Sequence, residues 1–201
     1  LTVNSTGAMA LSGIVNTGAG VVNLTSVGLN LGTTTLTAAG AMTLDAGIGA
    51  FTQGAGSVLS TNSSSNAITL KNGTTATLGN ITATTGSGGL VFNGLTGAAT
   101  QATGTAVKAK TLSGTVGGAL TLDQTGNQID TVSALSSNGL TLINTGALGL
   151  SGNVNTGNGV VNLTSVGLNL GTGTLTSAGA TTLDAGTGAV RELAGIACGN
   201  H

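Results

Sequence analysis

The chain has no proline, tryptophan or tyrosine, only two phenylalanines, a single cysteine and nine charged side chains among 201 residues. Each scarcity removes a class of protein. With Phe51 and Phe92 as the only aromatics, a core anchored on large rings is excluded, and the interior has to be made of small aliphatics. Cys198 stands alone, so an internal disulfide is impossible. Four Lys/Arg against five Asp/Glu leave a net charge of −1, and neither nucleic acid nor an anionic membrane surface is expected as a partner. No apolar run approaches the ~18–20 residues of a membrane helix, so membrane insertion is not expected.

Charged residues make up 4% of the chain, far below the roughly 25% of ordinary globular domains. Disorder would require few β-branched residues and high net charge, whereas Val, Ile and Thr run throughout. The chain is expected to be ordered. Its 37 glycines follow no every-third-residue rule and no proline accompanies them, which excludes collagen.

Repetition is what the chain does have. Residues 1–51 recur as residues 140–190, with 39 of 51 positions identical, and the tract Val21–Thr33 returns unchanged at Val160–Thr172. Thr-Leu steps mark a shorter unit, as in Leu120-Thr-Leu-Asp-Gln-Thr-Gly126 and Leu140-Thr-Leu-Ile-Asn-Thr-Gly146. Units begin near residues 1, 21, 42, 67, 90, 120, 140, 160 and 181, so most are about 20 residues long. On that count the 139-residue offset equals seven units, which places both copies on nearly the same face of one rod, and 90–119 is an irregular longer coil.

Within a unit, apolar and small polar residues alternate, as in Val22-Asn23-Leu24-Thr25, which is the period of a half-buried strand. Asn-Thr-Gly and Ser-Asn-Gly steps at 16–18, 144–146, 155–157 and 137–139 supply turns. Three short strands and three turns in about 20 residues, repeated, have one economical solution. That is an all-β parallel β-helix (β-solenoid) of about eight to nine coils stacked ~4.8 Å apart. A stack of antiparallel hairpins would need turns every 8–12 residues.

The cadence Thr-Leu-Asp-Ala-Gly-x-Gly-Ala at 43–50 and 182–189, followed in the first copy by Phe51-Thr-Gln-Gly, joins Leu-Asn-Leu-Gly-Thr and Leu-Ser-Gly-x-Val-Asn-Thr-Gly units. Over 1–190 it resembles the repeat region of filamentous-haemagglutinin-like bacterial exoproteins and autotransporter adhesins. The resemblance implies a right-handed β-helical stalk at the bacterial outer-membrane surface or outside the cell, serving adhesion, aggregation or biofilm, with a host or matrix glycan or protein as its partner. The secretion domain and membrane barrel of such proteins are not visible, as expected of an internal segment. Residues 191–201 depart from the repeat and are expected to be a tail without chemistry.

No enzymatic constellation stands out, and no catalytic, cofactor-binding or metal-binding residue is assigned. Cys198 and His201 supply at most two ligands where a structural zinc site needs four. Asp45, Asp123 and Asp184 each follow a Thr-Leu step and are expected at one turn of the coil, in the third, sixth and ninth coils, too far apart for a shared cation. Asp45 and Lys71 fall in adjacent coils, where they are expected to pair on the surface. A polysaccharide-active β-helix enzyme would have only Asp130, Lys108 and Lys110 to work with, and no aromatic platform. The remaining alternative is an ice-binding solenoid, since Thr-x-Thr occurs at 33–35, 75–77, 82–84, 103–105 and 172–174. Against it, only the first and last lie at equivalent unit positions, and unequal coil lengths are expected to break any lattice. The strand edges left open at Leu1 lead to an expectation of end-to-end self-association.

Overall fold

Alternation of apolar and polar residues in short runs, each closed by a glycine turn, produces strands and no helix among the described residues of the computed structural model, which are 1–62, 67–191 and the backbone of 197–198. All strand pairings are parallel. They stack one coil on the next in a β-solenoid of nine coils, one for each strand of its nine-stranded sheet.

Three columns of inward side chains define the rod. The first carries Val22, Met42, Ile68, Leu90, Leu112, Val132 and Leu150. The second carries Leu29, Phe51, Ala76, Ala99, Leu120, Leu140 and Val161. The third starts with Leu36, Leu59, Ile81 and Val107. Each of these side chains is at most 3% exposed, and burial of each Leu or Val contributes about 1.5–3 kcal/mol. Bulk is traded between neighbouring coils: Phe51 faces Ala76, and Phe92 sits between Leu70 and Gly114.

Turns close by a local device that both copies share. The side-chain oxygens of Asn16, Asn30 and Asp45 accept the N–H two residues on, from Gly18, Gly32 and Gly47, at 2.8–2.9 Å. Their counterparts Asn155, Asn169 and Asp184 do the same with Gly157, Gly171 and Gly186 at 2.8–3.0 Å. The glycine that receives each of these bonds stands at positive φ, between 45° and 56°. Gly47, at φ 56°, also lies so close to the coil before it that a Cβ would stand 2.6 Å from the Ser26 carbonyl oxygen.

The two copies do not share a face. Val22–Thr25 lies in the first column, paired with Thr2–Asn4 and Met42–Asp45. The identical Val161–Thr164 lies in the second, paired with Leu140–Ile143 and Thr181–Asp184. From Val22 the chain advances one face to Leu29, and six ladder steps then lead through Phe51, Ala76, Ala99, Leu120 and Leu140 to Val161. The 139-residue offset is therefore six and one third coils, about 30 Å along the rod, and not seven. The second copy is turned by one face.

The slip arises in the middle of the chain. Leu90 pairs with Leu112 and Ala99 with Leu120, so residues 90–119 are one ordinary coil plus a third of the next, not a single long coil. Val107–Val116 and Gln128–Ser136 each run without a turn from the third column into the first, which joins those columns into one 17-stranded sheet. Register shifts between Phe92 and Leu95 and between Leu112 and Gly114 bend these strands. Asn144 then closes the third column: its Oδ1 accepts the Ile129 N–H at 2.7 Å and its Nδ2 donates to the Ile129 carbonyl at 3.0 Å. A side-chain amide takes the place of the next strand. Val154–Asn155 stacks on Leu135 and Ser136 instead, in the file of Leu70, Phe92 and Gly114.

Stacking continues past residue 190. Val190 and Arg191 pair with Leu168 and Asn169, and Ala197 and Cys198 pair with Thr176 and Ser177. The strand ladder thus extends into the segment expected to be a non-repeat tail. The side chain of Cys198, and His201 altogether, lie outside the described residues.

A buried polar pair interrupts the aliphatic interior beside the third column. Asn127, fully buried, exchanges amide hydrogen bonds with Gln101 at 2.7 and 3.0 Å, accepts the Val107 N–H at 2.8 Å and donates to the Leu122 carbonyl at 3.1 Å. Asn127→Leu would leave several of these groups unpaired, and stability should fall by about 3 kcal/mol, read as a lower urea midpoint by circular dichroism. Gly114 stands at φ 112°, and a Cβ there would run into the Phe92 carbonyl. Gly114→Ala should cost about 2 kcal/mol or more in the same assay.

Candidate functional site

Ionisable side chains are so few that their neighbours can be named one by one. Asp45 ends Met42–Asp45, Lys71 ends Ile68–Lys71, and the two are register partners in adjacent coils. Lys71 Nζ lies 3.2 Å from Asp45 Oδ2, the pairing expected from their spacing. Sequence reasoning missed Asn72, whose Nδ2 donates to both Asp45 oxygens at 2.9 and 3.0 Å. Asn72 is the one non-glycine residue at positive φ among the described residues, at 57°, and the Asn72-Gly73 step was its turn signal.

Burial of Asp45 by itself would raise its pKa, but hydrogen bonds from Asn72 and the Gly47 N–H, with the charge of Lys71, outweigh it and hold the carboxyl below the usual carboxylate range. A shallow depression of about 370 Å³ lies alongside, edged by Gly47, Ile48, Asn72, Gly73 and Thr96. Both carboxylate oxygens already have protein partners, so the cluster works as a clasp between coils.

Asp123 and Asp184 do not share the corner of Asp45. Asp123 follows Leu120–Leu122 and Asp184 ends Thr181–Asp184, both strands of the second column, whereas Asp45 ends a strand of the first. The face slip between the copies separates residues that the Thr-Leu cadence had aligned. Asp123 accepts a hydrogen bond from Gln124 at 2.8 Å, and Asp184 is occupied by its Asx turn.

Of the three sugar-chemistry candidates, the structure joins two. Lys110 Nζ sits 2.6 Å from Asp130 Oδ2 across one coil step, with both side chains nearly half exposed. Lys108 is register partner to Gln128 and Thr82. One carboxylate neutralised by one ammonium on an open strand face lacks the second carboxyl group that glycoside hydrolysis ordinarily uses. Among the described residues, no three His, Cys, Asp or Glu side chains gather as metal ligands, and no helix is long and apolar enough to cross a membrane.

Surface relief repeats with the duplication. A groove of about 360 Å³ is edged by Ala8, Gly28, Leu29, Asn30 and Ala50, and one of about 380 Å³ by their counterparts Ala147, Gly167, Leu168, Asn169 and Ala189. Arg191 adds a cation at the second groove, where the first copy has Thr52. Leu29 belongs to the second column and Leu168 to the first. The two grooves therefore face different sides of the rod.

A further regularity was hidden by uneven sequence spacing. Thr52, Thr77, Thr100, Thr121 and Thr141 are register partners in five successive coils of the nine-stranded sheet. The column points outward, since its neighbours Phe51, Ala76, Ala99, Leu120 and Leu140 are buried. Among the described residues none of the five hydroxyls makes a side-chain hydrogen bond, unlike Thr17, Thr96, Thr105, Thr145, Thr156 and Thr174. Ala50, Ala98 and Ala119 flank the ladder on one side, Gly54, Gly79 and Ala102 on the other. Unequal coil lengths do not break this array, because extra residues are taken up in turns while inter-coil hydrogen bonds hold the spacing near 4.8 Å. Of the Thr-x-Thr tracts, only 75–77 contributes to it.

Because the folded-state pKa of Asp45 lies below its unfolded value of about 3.9, the carboxylate contributes stability that is fully present above that value. The contribution is lost as pH falls through the folded-state pKa. Asp45→Asn should lower stability at pH 7 by about 1–2 kcal/mol through weakened charge-assisted hydrogen bonds. Its urea midpoint should also converge on that of the parent as pH falls below about 4. A constant gap across that range would show that the carboxylate charge does not hold the corner together.

No family model matches the chain, and neither the curated proteins nor the solved structures compared with it include a match.

Proposed function

We propose that the chain is a non-catalytic, adhesive and structural segment of a large secreted or surface-attached bacterial exoprotein, one that spaces and presents binding surfaces along a rigid rod. The observation that carries this reading is the groove built twice, at Leu29 and at Leu168, on two faces of one solenoid. A catalyst concentrates its chemistry in one place. Here the ionisable groups are dispersed, and two of the five acids are neutralised by inter-coil pairing. Repetition of a weak surface favours avidity, and placement on two faces favours bridging between partners over gripping one partner twice.

The resemblance of the repeat cadence to filamentous-haemagglutinin-like adhesins supports an extracellular or outer-membrane-surface location and a glycan or matrix-protein partner. Self-association end to end belongs to the same reading.

Beads carrying the chain are expected to adhere to a panel of matrix glycans and proteins, with retention rising steeply with the number of chains per bead. Retention should change less than about twofold on Asp130→Asn or Lys110→Ala, in keeping with the small contribution of exposed ion pairs. Turnover of any polysaccharide that disappears in these two variants would replace the adhesive reading with an enzymatic one.

A further inference from the structure

We infer that the threonine face of the nine-stranded sheet is a lateral docking surface for a second copy of this chain, so that rods pair side by side as well as end to end. The inference rests on the reading of the chain as a self-associating rod, and it assigns that association a second and separate surface.

Three observations name the occupant. The ladder from Thr52 to Thr141 repeats at the spacing of stacked strands, and another copy of the same chain carries the same spacing, so every threonine meets an equivalent position along the whole contact. The strip is uncharged from Ala50 to Ala119, and Asp123 and Asp184, in the outward column of Gly54, Gly79 and Ala102, are the only charges on its three columns, so two such faces approach with little like-charge repulsion. Its size is also right. Nine strands and three outward columns span roughly 38 Å by 13 Å, or about 1,000 Å² over both partners, which is the lower bound for a specific protein interface.

Local chemistry agrees. Small flanking Ala and Gly residues let two sheets approach closely, as in dry interdigitated sheet pairs, and the threonine hydroxyls free of intramolecular side-chain bonds can bond to one another across the contact. Equal spacing has a further consequence. A slide by one coil preserves most contacts, so staggered pairing extends into bundles.

The test uses the full chain. Sedimentation across a wide concentration range should show assembly, and Thr77→Lys/Thr100→Lys/Thr121→Lys should raise the concentration for side-by-side assembly by about 30-fold or more, while end-to-end filaments persist in electron micrographs. Thr100→Cys in a Cys198→Ser background should cross-link to dimers with a short bismaleimide, and Thr82→Cys on another face should not. Three outcomes would overturn the inference. One is unchanged bundling by the lysine variant, and another is equal cross-linking at Thr82 and Thr100. The third is a chain that never bundles but shows thermal hysteresis abolished by the same lysines, which would assign the ladder to ice. Adhesion of coated beads reports separately on the adhesive reading, because it does not require bundling.

Discussion

Parallel backbone hydrogen bonding from each coil to the next is the constraint from which the rest of this molecule follows. It sets the axial spacing, satisfies the polar main chain, and forces each residue to stand over its register partner. Residues far apart in sequence therefore become neighbours in columns, and a column is stable only if its inward members are apolar or internally paired. The aliphatic files of Val22, Leu29 and Leu36 meet that demand by burial. Asn127 and Gln101 meet it by reciprocal amide bonds.

The same constraint explains why an almost charge-free chain can be well ordered. A globular domain of this size would need charges to finish its surface, whereas here hydroxyl and amide side chains do so at the turns and on the outward strand positions. The few ionic contacts are inter-coil clasps. Asp45 is held by Asn72 and Lys71 from the coil above and by its own turn, and Lys110 and Asp130 bridge one coil step. Among the described residues charge is dispersed into such pairs, and no three His, Cys, Asp or Glu side chains gather in one place.

Because stacking specifies what sits above what, but not which face a given sequence occupies, the solenoid can change phase. The long strands Val107–Val116 and Gln128–Ser136 omit a corner, Asn144 ends a column with its side-chain amide, and Val154 stacks on the far end of the second long strand. Downstream of that point the repeat folds with the same turns on different faces. Ser26 and Ser165 even make the same bond, to Gly28 and Gly167, at 2.9 Å. Turning the second copy by one face places the duplicated surface on two sides of the rod.

What the sequence by itself determined was everything local. Strand alternation, Asx-Gly turns, the coil of about 20 residues, the small aliphatic core and the pairing of Asp45 with Lys71 can all be read along the chain, because each depends on period-2 burial, on turn chemistry or on one coil step. What only the tertiary structure decided was phase. Thr52, Thr77, Thr100, Thr121 and Thr141 are separated by 25, 23, 21 and 20 residues and look unrelated in sequence, yet they form one straight file, because hydrogen bonds fix the rise per coil while turns absorb the difference. Asp45 and Asp184 share a motif and part company for the converse reason. Residue count measures contour length, and a face is assigned only when the whole stack has registered.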